Sequence, residues 1–250
     1  MSEWKSLLDQ AVTVGDLSAE SRKNIDLYLD GTSSPVGQAA IEELTEQGAW
    51  EELDDRFFKT LAFGTGGLRG RTVGRIVTKA EQGAGGPLDR PEHPCAGTAT
   101  MNFFNLKRAM LGMVHYLLKN RIGEGKPSIV IGHDTRHFSQ DFAEICAKVC
   151  TELGVDAYLF EGARATPQIS FAIRELNLDA GVVLTASHNP AHDNGFKAYF
   201  SEGSQIVEPV ATGIITEVNT LLSDQYEAAP EAEQGSLTIL PCSASGAASY

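Results

Sequence analysis

A chain of 250 residues, 42% hydrophobic and 21% charged, can bury one large core or two modest ones, which excludes the disordered and fibrous classes. Lysine and arginine total 20 against 33 acidic residues, and the net charge of -13 opposes attraction to nucleic acid or to an anionic membrane surface. The opening MSEWKSLLDQ lacks the basic start and apolar run of a secretory signal, and no stretch reaches membrane-spanning length. A cytoplasmic protein with neither a nucleic-acid nor a membrane partner is therefore expected.

Residues 1–60 alternate short apolar-periodic segments with breaks at Gly15, Asp16, Gly31 to Pro35 and Gly48, a pattern that predicts a helical N-terminal extension. Next comes Phe63 to Arg71, FGTGGLRGR, with four glycines in nine residues. Such a segment can bring backbone N–H groups close to a phosphate, with Thr65, Gly66 and Gly67 as the backbone candidates and Arg69 and Arg71 as cations, although it also describes an ordinary turn. Glu81 to Gly97, rich in glycine and proline, reads as a loop.

Beyond it, helical patterns at Met101 to Lys119, Ser139 to Leu153, Pro167 to Leu176 and Glu208 to Leu222 are interleaved with β-prone runs at Ser128 to Ile131, Val155 to Phe160 and Ala180 to Leu184. This alternation predicts an α/β fold over residues 61–222: a mainly parallel mixed sheet with helices on both faces. Cys146 and Cys150 share a helical stripe with Phe138, Phe142, Ile145, Val149 and Leu153, so they read as buried thiols rather than a metal or redox pair. Residues 223–250, dominated by small side chains, read as a poorly ordered tail or the stub of a second domain, with Leu237 to Leu240 as a possible strand.

The chemistry concentrates where strands end. Ile129 to Arg136, IVIGHDTR, is a strand running into a polar turn, where Asp134 and Arg136 either pair with each other or orient a neighbouring loop. Leu184 to Phe200, LTASHNPAHDNGFKAYF, follows another strand, and ligands of parallel α/β sheets bind beyond such carboxyl ends. Ser187 is the nucleophile candidate. A serine hydroxyl is weak unless a base, a cation or a metal assists it, and His188 and Lys197 are near in sequence. A serine-hydrolase elbow is excluded, because the positions that require glycine hold Thr185 and Asn189. The pairs His133/His137 and His188/His192 lack the glutamate of a zinc-binding H-E-x-x-H, so loop-bracing or surface roles are expected, and His115 reads as a partly exposed helical residue.

Taken together, TASHNP at Thr185 to Pro190, NGFK at Asn194 to Lys197, FGTGGLRG and GHDTR resemble the α-D-phosphohexomutase family of phosphoglucomutases and phosphomannomutases. The resemblance covers roughly residues 50 to 222, and the helical extension is similar to that of the longer phosphoglucomutase-like members. It implies that Ser187 is phosphorylated at rest and that one of its phosphate oxygens is a ligand of Mg2+. Lys197 and His188 would be acid-base or electrostatic helpers and Arg69 would contact the phosphoserine region. Thr65, Gly66, Gly67, Arg71, Asn189, Asp134 and Arg136 would bind substrate or phosphate. The implied substrate is a hexose phosphate, the implied activator a hexose bisphosphate, and the oligomeric state stays open. The family's D-x-D-x-D-R metal loop has no counterpart in these 250 residues, and Asp54, Asp55 and Asp193 do not reproduce its spacing. The chain thus reads as about half of a family member. Two functions remain open: an incomplete phosphohexomutase, and a non-catalytic phosphosugar-binding or interaction domain derived from that family. In either case residues 64 to 71, 133 to 136 and 185 to 197 are expected on one concave surface.

Overall fold

The computed structural model describes residues 3–62, 64, 67–121 and 124–241. The chain opens with four helices, α1 (Glu3–Val14), α2 (Ala19–Gly31), α3 (Val36–Glu46) and α4 (Trp50–Phe57). Gly15, at a φ of 89°, ends the first of them, and the Ser18 side chain caps α2 by accepting from the Ser21 N–H. Their apolar stripes form a core of their own around Trp4, Leu8, Ile25, Ile41, Leu44 and Leu53. Tyr28 packs edge-on against Phe57 and Phe104, at ring separations of 5.7 and 5.1 Å, and Phe104 joins this core to the rest of the molecule.

After β1 (Gly67–Arg71) and the short α5 (Lys79–Gln82), the α/β unit runs α6 (Phe103–Asn120), β2 (Ser128–His133), α7 (Ser139–Glu152), β3 (Asp156–Phe160), α8 (Thr166–Glu175) and β4 (Ala180–Leu184). It continues with β5 (Asp193–Phe200), α9 (Val210–Thr220) and β6 (Leu237–Leu240). The sheet order is β1-β5-β4-β2-β3-β6, with β4, β2, β3 and β6 parallel and the β1–β5 and β4–β5 pairs antiparallel. Ala180 to Leu184 is buried at every position, as a strand covered on both faces requires. One face packs Ile129, Ile131, Val182, Leu184 and Phe196 against α6, α7 and α9, and the other packs Val130, Val183 and Tyr199 against α8. The α/β fold with preceding helices is thus the one expected.

Two segments differ from the sequence reading. The glycine-rich stretch is strand from Gly67 onward, and the polar stretch after the serine becomes β5, pairing Gly67 with Lys197 and Arg69 with Gly195. Local propensity misses both because glycine is depleted in strands; here it is needed, since a side-chain carbon on Gly67, at a φ of 145°, would lie 1.7 Å from the Phe196 carbonyl oxygen. The second difference is the supposed tail. Its described part is attached: Asp224 accepts from the Ser33 N–H at 2.7 Å, the Tyr226 hydroxyl donates to Glu152, and β6 pairs with β3 from Ala157↔Leu237 to Phe160↔Leu240. The possible strand at Leu237 to Leu240 is thus a strand, fixed by its pairing with β3.

Candidate functional site

The chain leaves β2 toward β3 and leaves β4 in the opposite direction toward β5, so a crevice opens beyond the carboxyl ends of these two neighbouring strands. Two polar turns fill it, tied at their bases: the Asp134 N–H donates to the Leu184 carbonyl at 3.1 Å, and the Thr185 N–H to the Gly195 carbonyl at 3.0 Å. Between them the serine turn folds tightly. The Ser187 N–H donates to Thr185 Oγ1 at 2.9 Å and the Asn189 N–H to the Ala186 carbonyl at 3.1 Å, while Asn189 Nδ2 donates to Asp193 Oδ2 at 3.0 Å. Ser187 itself has a φ of 58°, a left-handed conformation that costs a residue with a side chain on the order of 1–3 kcal/mol and is held by its surroundings. Its side chain is exposed, and among the described residues its Oγ makes no hydrogen bond.

Asp134 and Arg136 do both things the sequence left open. Asp134 Oδ1 accepts from the Arg136 N–H at 2.9 Å and from the Ser139 hydroxyl at 2.6 Å, and Oδ2 lies 3.2 Å from Arg136 Nε. The guanidinium then reaches across to the carbonyls of Ser187, Asn189, Pro190 and Asp193 at 2.7 to 3.1 Å. Both Nη atoms of Arg136 are thus spent on backbone carbonyls, and Nε lies against Asp134. The Gly67 N–H donates to the Gly64 carbonyl at 3.1 Å. Thr65 and Gly66 lie outside the described residues.

The uncommitted cations come from the antiparallel strands. Alternation puts Arg69, Arg71 and Lys197 on the sheet face opposite the buried Leu68 and Phe196. Gly195 stands between them and the serine turn. A side-chain carbon added there would be 2.7 Å from the Thr185 carbonyl oxygen and 3.1 Å from Arg69 Cγ, so the missing side chain is what lets Arg69 lie against the base of the turn. Burial lowers the Lys197 ammonium below the ordinary lysine value, the Arg69 charge lowers it further, and Asp134 pulls it the other way. Lys197 is therefore within electrostatic range of Arg69 and of Asp134 on the turn after β2. Neither it nor Arg69 makes a side-chain hydrogen bond or ion pair with the described residues, whereas Arg71 lies 3.7 Å from Asp55. His188 is exposed beside Ser187.

Several of these groups line one of two depressions. Asp134, Arg136, Ser187 and Asn189 border one of about 420 Å³, and Lys59, Arg69, Arg71 and Asp193 border one of about 250 Å³. Two supporting residues were invisible as such in the sequence: Ser139, at the start of α7, and buried Asn194, whose Nδ2 donates to the Ser139 hydroxyl and to the His137 carbonyl, each at 2.9 Å. Asn194 stands in the NGFK run, but its inward direction follows only from the pairing of β5. Among the described residues no group of three or more His, Cys, Asp or Glu could hold a metal ion. The carboxylates nearest Ser187 are already committed, Asp134 to Arg136 and Ser139, and Asp193 to Asn189. They do not fit the octahedral oxygen set of Mg2+.

Residues 95–225, more than half of the chain, match the model of the family described as phosphoglucomutase/phosphomannomutase, alpha/beta/alpha domain I. The chain belongs to this family. It is 32% identical to the phosphoglucomutase of Staphylococcus epidermidis over 186 residues, which are 74% of this chain and 30% of that protein. With the phosphoglucomutase of Staphylococcus haemolyticus the identity is 37% over 170 residues, 68% of this chain and 26% of the other. A solved structure described as a phosphomannomutase from Thermus thermophilus superimposes with a TM-score of 0.52 at 28% identity, covering 73% of this chain and 33% of that one. The chain thus matches only 26–30% of the length of these curated relatives. Among its described residues no helix is long and apolar enough to cross a membrane.

Proposed function

We propose that this domain carries a phosphoryl group on Ser187 and exchanges it with a hexose phosphate, as part of a phosphoglucomutase- or phosphomannomutase-type isomerisation. The observation that carries the reading is the setting of Ser187: an exposed hydroxyl in a braced left-handed turn whose base pairs with Gly195 of β5, the strand that carries Lys197 and lies against Arg69, neither of which makes an ion pair with the described residues. A phosphoserine bears about -1.5 to -2 charges, and those cations would stabilise it.

In the exchange, the bond between Ser187 Oγ and phosphorus breaks while a hydroxyl oxygen of the sugar phosphate bonds to that phosphorus, giving a hexose bisphosphate and a free serine. The sugar's hydroxyl proton passes to a base, for which Lys197 with its lowered pKa or His188 is available, and the departing Ser187 Oγ takes up a proton to become the hydroxyl. The bisphosphate then returns its other phosphoryl group to Ser187 Oγ, whose proton leaves to a base while the released sugar oxygen takes one up. Nothing is hydrolysed in this sequence. Among the described residues the carboxylates do not form a Mg2+ site. Peptide mass spectrometry after incubation with glucose 1,6-bisphosphate tests the reading. One phosphoryl group should appear on Ser187 and none in Ser187→Ala; phosphate on another residue, or undiminished labelling in Ser187→Ala, would refute it.

A further inference from the structure

The engagement of Arg136 has a direction. A guanidinium has five N–H donors, and here Nη1 donates to the carbonyls of Pro190 at 2.7 Å and Asp193 at 3.1 Å, Nη2 to those of Asn189 at 2.7 Å and Ser187 at 2.8 Å, and Nε points at Asp134. Four carbonyls of one seven-residue stretch thus turn inward on a single cation. The grip includes the nucleophile's own peptide group. The orientation of the Ser187 carbonyl sets ψ of that residue, and its N–H, bound to Thr185 Oγ1, constrains φ from the other side. The left-handed Ser187 is therefore clamped at both ends of its own backbone.

The clamp is itself anchored. Asp134 holds Arg136, the Ser139 hydroxyl holds Asp134 at 2.6 Å, and fully buried Asn194 holds Ser139 at 2.9 Å. A chain of hydrogen bonds thus runs from the interior of the sheet to the serine turn, and each link fixes the rotamer of the next. Lysine cannot replace this arrangement, because its single ammonium cannot spread over four carbonyls in the plane of a fork.

We propose that Arg136 is a positioning residue for phosphoryl transfer at Ser187: it holds the turn so that the serine stays left-handed and presents its Oγ, and it does not bind the phosphate. The proposal rests on the reading of Ser187 as the phosphoryl carrier. A misplacement of about 1 Å costs on the order of a hundredfold in rate, so loss of the clamp should act on the maximal rate and not on capture of the phosphosugar.

The test uses the 250-residue chain, with Arg136→Ala and Arg136→Lys beside the wild type. Uptake of phosphate from glucose 1,6-bisphosphate is followed by intact mass over a range of bisphosphate concentrations, and amide hydrogen exchange is read on peptides covering 185–193. Expected for both variants are a maximal labelling rate lower by about a hundredfold, an unchanged half-saturating concentration and faster exchange in the serine turn. Guanidinium ion at a non-denaturing concentration should restore part of the Arg136→Ala rate. A raised half-saturating concentration with an unchanged maximal rate would assign Arg136 to phosphate binding and overturn the proposal, as would unchanged exchange. If the wild type takes up no phosphate at Ser187, the carrier reading fails; exchange in the variants then still decides whether Arg136 holds the turn.

Discussion

Arg56→Met should cost this protein roughly 3–5 kcal/mol of stability, the range for removing one partner of a buried ion pair. Arg56 is 1% exposed and joins α4 to α5 and the loop between them: Nε lies 2.8 Å from Glu52 Oε1, Nη1 2.6 Å from Glu81 Oε1, and Nη2 donates to the Ile76 carbonyl at 2.5 Å. Burial alone would lower its pKa, but the Glu81 charge, ahead of that of Glu52, lifts it above the ordinary arginine value. Glu81 also accepts from the N–H groups of Thr78 at 3.1 Å and Ala96 at 2.9 Å. Without the guanidinium, Glu52 and Glu81, 4% and 1% exposed, remain as two buried carboxylates with no cation beside them. For a protein of this size the loss corresponds to a melting temperature lower by about 6–20 °C.

Urea denaturation of the variant beside the wild type measures the loss. A deficit below about 1 kcal/mol would refute the reasoning. Adding Glu52→Gln and Glu81→Gln to the variant, which removes the two uncompensated charges, should recover much of it.

Titration of Lys197, followed by lysine NMR, should give a pKa below the ordinary value, and Arg69→Gln should raise it, since removing a like charge favours the ammonium. Asp224→Ala leaves the Ser33 N–H and hydroxyl without their acceptor and should cost about 1–3 kcal/mol in thermal or urea denaturation. Cys95, Cys146 and Cys150 should resist a water-soluble thiol reagent until the chain unfolds, because all are buried and burial pushes the Cys95 thiol up to about 12. Even with Ser187 labelled, the isolated chain should not sustain conversion of glucose 1-phosphate or mannose 1-phosphate in a coupled assay with Mg2+, since each absent transition-state stabiliser is worth about 2.7–4 kcal/mol. Turnover near one per second, abolished by Ser187→Ala, would contradict that.

Much of the architecture was legible because parallel strands covered on both faces are continuous apolar runs, and amphipathic helices with a periodic stripe lie between them. Ser128 to Ile131 and Ala180 to Leu184 declare themselves in this way. The antiparallel pair did not, because β1 is glycine-rich and depends on a partner more than a hundred residues away, and β5 begins in a polar turn. The site divides similarly. Ser187, Lys197 and Arg69 stand out by residue type, whereas the role of Arg136 is set by where four backbone carbonyls point, which no single-residue property encodes. Ser139 and Asn194 were missed for the same reason: their partners are each other and Asp134.

The attachment of Ser33 to Asp224 also bears on how the chain folds as it is made. The two residues are 191 positions apart, and the Gly31 carbonyl is likewise capped by the Asp224 N–H at 3.2 Å. At a synthesis rate of about 5–20 residues per second, the N-terminal helices emerge about 10–40 s before the segment that fastens them exists. During that interval Phe104 can already join the two cores, but the end of α2 has nothing to bind. Early docking through aromatic packing and late locking through a carboxylate would let these helices assemble before the α/β unit and become secure only after it.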